Sequence, residues 1–566
     1  MLKVVGASWL QTRISTYILV AVALLGIGAI ILGEYGHVEN DGTYSATVSW
    51  NHKGGYRIDF WGQGNDLASV KLNVARAYYK TSILESGWSI IEIETSSKYP
   101  DTVQAYAAGL LEGSLTWQLI HHHWYNTVNV ICEKQADKCQ KLMRFLRGNT
   151  AIVRERAELL GATDPFWHMV RLFYIQLDGL EAGWRFAVRR SRQTVEMDSG
   201  HFLWLAMAAD LPDLELAPNV TDHTKGMICL KNLPRNGLEP LIAIGHTTAA
   251  PYAKMLRLLK KYTFGYHVLP MLKSAAPGRS VMMSSYPGAL SSHDEFYLIQ
   301  GHNRELIVAK IPLAVINHHW NLTKMKDQVM SSAKTMAANR LATNGRVWSR
   351  ILLLQNGSEG ARQWITLEPH NRVVMLVEQL SGIARVADIS EQFAATGALC
   401  RTGNARLRDV KVAIDDNDEE GNGESNDDIT RGELVARLQK NITTVESFRR
   451  LMRGYSHEDT ATATETAAII TTTATINEDE DRAGRILAYR GDLEDNGSAS
   501  PFGVIDAKIV LADVNGVKSF EAASGPSTLG GARKPFRWSK AFPNVSHVGQ
   551  PDVFKFGNVV PLWVWI

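Results

Sequence analysis

The segment 14–33 contains no charged residue, and it constrains where the rest of the chain can fold. Lys3 and Arg13 lie on its N-terminal side. A helix of about 20 apolar residues spans the ~30 Å hydrocarbon core of a bilayer, and basic residues before it keep that end in the cytosol. Everything after residue 34 is therefore expected to enter the secretory lumen. Residues 1–34 are interpreted either as an uncleaved signal anchor or as a cleaved signal peptide without a clean small-x-small site.

Acceptor patterns for N-linked glycans and the cysteines both suit the lumenal side of a membrane. Cys132 and Cys139 enclose a short polar segment, which predicts a small disulfide loop in an oxidising compartment, the alternative being two free thiols. Cys229 and Cys400 have different surroundings, so the sequence leaves their pairing open. The glycan acceptors that we expect to be used are Asn219, Asn321, Asn441 and Asn544.

The composition allows a large core and argues against one class of partner. The chain has 566 residues, of which 45% are hydrophobic and 21% charged. Lys and Arg number 60 against 58 Asp and Glu, a net charge of +2, which is too balanced for a nucleic-acid binder. No metal or nucleotide motif stands out, so no cofactor is expected. Nothing in the sequence specifies an oligomeric state.

Hydrophobic periodicity predicts a chain that mixes strands and helices. Near-alternating, β-branched patterns indicate strands over 44–50 and 89–95. A buried helical stripe begins after Asp101, which is placed to cap it, and further apolar helices are expected over 141–160 and 166–180.

The second half of the chain begins with a predicted hairpin. Segments 227–233 and 241–244 are expected to form two strands around a turn that contains Asn236-Gly237. From Pro251 the pattern indicates an amphipathic helix whose charged face is solvated: Lys254, Arg257, Lys260 and Lys261. Stretches 415–428 and 460–480 are too polar to pack and are interpreted as exposed, disordered loops.

Several short segments in this second half are similar to signatures of the phospholipase B-like family. Ser284-Ser-Tyr-Pro-Gly288 followed by Asp294-Glu-Phe-Tyr297 carries much of the resemblance. Other landmarks of that family occur here in the same order, and the apolar leader resembles the insect lamina ancestor branch. These landmarks include Gln104–Gly109, Gln176–Glu181, Ala338–Ala342, Gly503–Asp506, Ala523–Pro526 and Gly549–Asp552.

The resemblance implies an α+β chain with an αββα four-layer sandwich of the N-terminal-nucleophile hydrolase type. Residues 35–225 would form the N-terminal part of the domain, and 226–566 the part that carries the nucleophile. Such precursors cut their own backbone before a Cys, whose freed α-amino group then serves as the base beside the thiol. The implied activity is deacylation of phospholipids or related lipid esters and amides, in the lysosome or as a secreted protein.

Two alignments place the implied nucleophile differently. His246 follows the strand 241–245 as the family's histidine does, and the family's spacing of 17 residues (246 − 229 = 17) points to Cys229. The family motif Ile-Lys-x-Leu-Pro instead matches Leu230-Lys-Asn-Leu-Pro234, and that match puts Gly226 at the nucleophile position. In the second alignment Cys229 lies within a strand as a buried core thiol.

The expected oxyanion and substrate region also departs from the family. Where the family has Asn-Asn-Gln-Trp, this chain has Ala361 and Arg362 before Gln363 and Trp364. If one of those asparagines stabilises the oxyanion, its loss removes about 3 to 4 kcal/mol of transition-state stabilisation. Arg362 and Gln363 are therefore the candidate residues of this region.

Three functional hypotheses follow. The first is a lumenal lipid ester or amide hydrolase that uses Cys229 and His246. The second is a catalytically degenerate member that keeps the fold to bind a lipid or a protein. A storage or structural glycoprotein is the third, with only the glycan acceptors in its favour. Activity resides in a site and not in a fold, so the geometry of the site must discriminate among them.

Overall fold

The computed structural model describes residues 16–22, 24, 42–51, 53, 55–61, 67–211, 226–302, 304–314, 327–354, 360–380, 382–415, 426–454, 486–494, 497–528 and 534–565. The chain divides into two compact units, Met1–Gly42 and Thr43–Ile566. In the first unit, 16–22 and 24 are helical. Most of the expected anchor lies outside the described residues, and no described helix has both the length and the apolar character needed to cross a bilayer.

The described part of the second unit contains an 11-stranded sheet and a 6-stranded sheet. We call them the large sheet, with strand order β13-β12-β11-β10-β9-β8-β7-β4-β3-β1-β2, and the small sheet, with order β14-β5-β6-β15-β16-β19. A short third sheet pairs β17 with β18. The strands are β1 Thr43–Asn51, β2 Gly55–Trp61, β3 Ala75–Lys80, β4 Ser89–Thr95, β5 Met227–Arg235, β6 Leu238–Pro251, β7 Leu258–Thr263, β8 Ser280–Ser285, β9 Phe296–Gly301, β10 Arg304–Pro312, β11 Arg362–Glu368, β12 Val373–Leu380, β13 Ile383–Asp388, β14 Ala398–Arg401, β15 Phe502–Asp513, β16 Gly516–Ser524, β17 Phe536–Arg537, β18 Val553–Phe554 and β19 Asn558–Val559.

The α-helices of this unit are concentrated between the first strands and β5. A second group follows β10 and a third follows β13. The helices are α1 Ile83–Ser86, α2 Asp101–Leu115, α3 Trp117–Trp124, α4 Val130–Lys134, α5 Ala136–Leu160, α6 Pro165–Arg190, α7 Ser199–Ala206, α8 Ser331–Leu341, α9 Gly345–Leu352, α10 Ser390–Thr396, α11 Arg408–Asp415, α12 Asn426–Leu438, α13 Val445–Met452 and α14 Trp538–Ala541.

Three hydrophobic cores define how these elements are layered. One core joins α2, α5, α6 and α8 to one face of the large sheet. A second core fills the space between the two sheets, with Ile228 and Ile244 from the small sheet against Leu298 and Ile365 from the large one. The third core packs α12 and α13 on the other face of the small sheet. Apolar side chains therefore point to both faces of each sheet, as expected for sheets covered on both sides.

Helices α2 and α6 pack unusually closely because each has two glycines four residues apart. A Cβ added at any of them would lie 1.9–2.2 Å from a backbone oxygen of the other helix. Only a hydrogen fits at such a distance, so these positions set the separation of the two helices. The four positions are Gly109, Gly113, Gly179 and Gly183.

Several predicted elements are confirmed, namely the strands near 44–50 and 89–95, the three long helices and the hairpin of β5 and β6. The expected cap at Asp101 is wrong in detail. Its carboxylate contacts His168 and His267, at 2.9 Å each, and Pro100 occupies the capping position.

The predicted amphipathic helix after Pro251 is wrong. A single turn of 3-10 helix is followed by β7, which lies between β4 and β8 in the interior of the large sheet. Three of the four cations expected in solvent are buried, and Lys254 is half-buried. Lys260 Nζ donates to Glu112 at 2.6 Å, and Lys261 Nζ to Glu92 at 2.9 Å. The sequence pattern resembled a solvated helical face, but Arg257, Lys260 and Lys261 are tolerated in the core because each has a buried carboxylate as its partner.

The two expected disordered loops lie largely outside the described residues. Residues 416–425 and 455–485 are not described. The first prediction extends too far, however, because Asp415 ends α11 and 426–428 belong to α12.

Candidate active site between the two sheets

His246 lies on the face of β6 that points towards the large sheet. Its Nε2 is 2.7 Å from the backbone oxygen of Lys310 on β10, and its ring stacks on Phe296 with centroids 5.5 Å apart. Since a carbonyl only accepts, Nε2 carries the proton and donates it. Burial, reinforced by the positive charge of Lys508, lowers the pKa of His246 well below its usual range. The imidazole is therefore neutral.

The second ring nitrogen of His246 is available as an acceptor. Nδ1 is buried and has no hydrogen-bond partner among the described residues. With Nε2 protonated, Nδ1 presents a lone pair to the space between the sheets. Nδ1 atoms of other described histidines are likewise buried and unpaired, so this feature singles out His246 only together with its position between the two sheets.

A cluster of four buried charges lies beside His246, and we call it the charge cluster. Arg257 donates to Asp294 and, at 2.5 Å, to Asp506 on β15. Lys508, the cross-strand neighbour of His246, donates to Asp506 at 2.6 Å and lies 3.5 Å from Asp294. Two cations face two anions, so the charge cluster is neutral overall. Such a group is stable only while every member keeps its partners.

Asp294 is the most heavily bonded member of the charge cluster. Its carboxylate also accepts hydrogen bonds from Ser284 Oγ at 3.0 Å and Tyr286 OH at 2.7 Å. Burial alone would raise the pKa of Asp294, but Arg257 and Lys508 outweigh it and hold that pKa far below its usual range. Asp294 is therefore ionised at any physiological pH and cannot act as a general acid or base there.

Gly226 immediately precedes β5, next to the strand positions that face His246. Its neighbour Met227 pairs with Thr247, and Ile228 pairs with His246. A Cβ built on Gly226 would lie 2.9 Å from the Thr247 oxygen and 3.7 Å from Ile311 Cγ2 on β10. The position given by the motif alignment therefore borders the layer between the sheets, but a glycine offers no nucleophile there.

The structure does not bring Cys229 and His246 together, which corrects the pairing expected from their spacing. Successive strand residues point to opposite faces of a sheet. Ile228 and Leu230 face the large sheet, whereas Cys229 packs in the core with α12 and α13. The Cys229 sulfur is also bonded to Cys400, which lies directly opposite on β14. Cys229 is therefore a disulfide on the far side of the small sheet from His246.

Arg362 and Gln363 lie on opposite faces of β11, so only one of them is near the candidate site. Arg362 points to the helical side of the large sheet, where it contacts Ser331 Oγ and, at 2.8 Å, Asp210. Gln363 points between the sheets and donates to Glu378 at 2.6 Å. The expectation that Arg362 belongs to the oxyanion region is wrong, because the sheet separates it from His246.

Sequence reasoning missed the charge cluster as a site. Asp294 begins one family landmark segment and Asp506 ends another, so their place in the landmarks could have marked both as site residues. Arg257 gave no such signal, because it was interpreted as part of a solvated helical face. Lys508 is surrounded by apolar strand residues, a pattern that predicts a buried strand and gives no sign of an ion pair.

The predicted Cys132–Cys139 disulfide is confirmed, with its Cα atoms 5.1 Å apart. Two of the expected glycan acceptors, Asn441 and Asn544, are exposed. The other two, Asn219 and Asn321, lie outside the described residues. Use of all four acceptors stays a prediction.

Comparison with known proteins agrees with the resemblance. The family model described as Phospholipase B matches residues 75–561. The phospholipase B-like lamina ancestor of Drosophila melanogaster is 31% identical, with all of both chains covered. Phospholipase B-like 2 of Homo sapiens is 30% identical over 87% of this chain and 86% of its own. The phospholipase B-like protein B of Dictyostelium discoideum is 24% identical over 88% and 86%.

These matches extend across both sheets, the charge cluster and His246, and they include relatives from insect, mammal and amoeba. A family model that covers most of the chain, together with a full-length relative, assigns the family directly. The chain belongs to the phospholipase B family.

Proposed function

We propose that this chain is a phospholipase B-like protein of the lysosomal or secretory lumen that binds a phospholipid or related lipid and does not hydrolyse it. One observation carries the proposal. The face that holds His246 offers no thiol, because Cys229 is on the other face of the small sheet and position 226 is glycine. Without a nucleophile at that point, neither self-cleavage nor acyl transfer to sulfur can begin.

The finer fold assignment is part of the same proposal. The three cores follow one another in the order helices, large sheet, small sheet, helices. This order supports an αββα sandwich of the N-terminal-nucleophile type, with 35–225 and 226–566 as its two parts. The lysosomal or secreted location rests on the apolar leader, the glycan acceptors and the two disulfides.

A cavity of about 460 Å³ supports the choice of a lipid as ligand. Its lining combines Met143 with the polar Gln140, Arg144, Arg147, Asp198 and His201, beside the Cys132–Cys139 disulfide. Cavities of a few hundred Å³ are of the size that small-molecule sites have. The guanidinium of Arg144 suits the phosphate of a headgroup, whereas that of Arg147 pairs with Asp198.

The deacylation expected of the family is the second candidate function. The unpaired Nδ1 of His246 favours it, because that atom could take a proton from a nucleophile or a water molecule. A reaction through water would retain lipid hydrolysis without a covalent intermediate.

The test compares the wild-type protein with His246→Gln, using a short-chain phospholipid that stays monomeric. Binding is followed by calorimetry and acyl release by the fatty acid formed. We expect both proteins to bind the lipid and neither to release fatty acid above the buffer control. Fatty acid release that disappears in His246→Gln would contradict the proposal and establish the second candidate.

A further inference from the structure

A hairpin extension joins β7 to β8 and is held in order by its own backbone. Phe264 N donates to Arg279 O at 3.0 Å, and Ala276 N donates to Tyr266 O at 2.8 Å. Nearer the tip, Val268 N donates to the oxygen of Ser274 at 2.9 Å. Residues 264–279 therefore form a defined projection from the large sheet, which we call the β7–β8 hairpin.

The base of this hairpin is fastened to the helical layer. His267 donates from its backbone nitrogen to Asp101 at 3.0 Å, and its Nδ1 lies 2.9 Å from the same carboxylate. His168 on α6 contacts that carboxylate from the other side at 2.9 Å. Tyr266 is buried in the helical core. The tip is consequently presented in one orientation.

The tip exposes apolar side chains that contribute little to the fold. Met271 is 89% exposed and Leu272 is 46% exposed, and Pro270 next to them is exposed as well. Residues 264–279 include no acidic residue, and their two cations, Lys273 and Arg279, are both exposed. An apolar tip with an exposed lysine beside it is the chemistry of groups that enter the boundary of an anionic bilayer.

We propose that the tip of the β7–β8 hairpin, Pro270–Lys273, docks this protein on an anionic lipid surface. A tip this narrow cannot supply the roughly 800 Å² per partner that a stable protein interface needs, whereas a bilayer is entered by a few side chains. The inference shares with the proposed function the idea that lipid is the ligand, but it concerns another part of the molecule. Arg257 precedes β7 and the hairpin follows it, so the tip and the charge cluster are separated by roughly 20 Å of strand.

The test needs a local probe, because the apolar segment 14–33 could hold the whole chain on a membrane. All four cysteines are in disulfides, so a cysteine introduced by Met271→Cys is the single site for a polarity-sensitive dye. Leu159→Cys is the matched control, since Leu159 is an equally apolar side chain, 72% exposed on α5. Vesicles are prepared from phosphatidylcholine with and without phosphatidylglycerol.

On vesicles with phosphatidylglycerol, we expect the dye at position 271 to shift to the blue and the dye at 159 to stay unchanged. Lys273→Glu should raise the lipid concentration needed for the shift by roughly thirtyfold, because it reverses one charge near the surface. An unchanged dye at 271, or an equal shift at both positions, would overturn the docking proposal. Failure of the monomeric lipid to bind would instead overturn the proposed function, so the two failures are distinguishable.

Discussion

The charge cluster should make Arg257 one of the least replaceable side chains of the chain. Arg257→Met removes one of two cations that face Asp294 and Asp506 in a fully buried group. Lys508 would then be the remaining cation of the cluster, which leaves one buried negative charge uncompensated. Breaking a buried pair in this way costs about 3 to 5 kcal/mol, a large share of the 5–15 kcal/mol typical of folded domains.

Denaturant unfolding of the wild-type protein and the variant measures this loss. Arg57→Met is the matched control, because Arg57 makes an ion pair with Asp59 in which the arginine side chain is 79% exposed. Exposed pairs contribute at most about 1 kcal/mol, so the control should barely change the free energy of unfolding.

The sign of the pH dependence is a second check on the same variant. The folded-state pKa of Asp294 is depressed, so the stability that it contributes is present above its unfolded pKa and is lost only as pH falls through the folded value. The wild-type cluster is therefore intact at pH 5. With Arg257 gone, burial raises the pKa of Asp294. Protonation of Asp294 should then reduce the variant's loss in free energy of unfolding as pH falls from 7 to 5. The reasoning would be refuted if Arg257→Met lowered the free energy of unfolding by less than about 1 kcal/mol at pH 7, or if this difference from the wild type grew on acidification.

Two further predictions concern packing and location. Gly109→Ala should lower the free energy of unfolding by several kcal/mol, because the new Cβ would lie 1.9 Å from the Gln176 oxygen. Gly148 is at an exposed position of α5, where a Cβ meets nothing within 4 Å, so Gly148→Ala should raise the free energy of unfolding by roughly 0.5–1 kcal/mol. Denaturant unfolding of both variants tests this contrast, and equal signs would contradict it. If the chain is lumenal, N-glycosidase should increase its gel mobility, and Asn441→Gln or Asn544→Gln should each remove one glycan; no shift on digestion would count against the lumen.

Elements with a simple period were predictable from the sequence. The strand Ser89–Thr95 is buried at six of its seven positions, and Met227–Arg235 is buried over its first four. Helix α6 combines a long apolar stripe with Asp164 as its cap. The hairpin turn at Gly237 follows from Asn236-Gly237, since Gly237 has φ +69°. In these places local propensity and tertiary structure agree.

The candidate site could not be derived in the same way because its partners are distant along the chain. Arg257 is ionised in the core because Asp294 and Asp506 meet it there, and no local pattern shows this. The disulfide of Cys229 likewise depends on β14 pairing with β5 across 171 residues. The spacing of 17 residues alone favours a site that pairs Cys229 with His246. The alternation of side chains along the strands puts the two residues on opposite faces of the small sheet.

The most direct test of the account is peptide mapping of the mature protein, without reduction and after alkylation of free thiols. We predict a peptide in which Cys229 is linked to Cys400, with the bond between Ile228 and Cys229 uncut. The mapping also reads the start of every chain, so the same experiment reports self-cleavage. A chain that begins at Cys229 with an alkylated thiol would contradict the account, because that residue would then be a free N-terminal nucleophile.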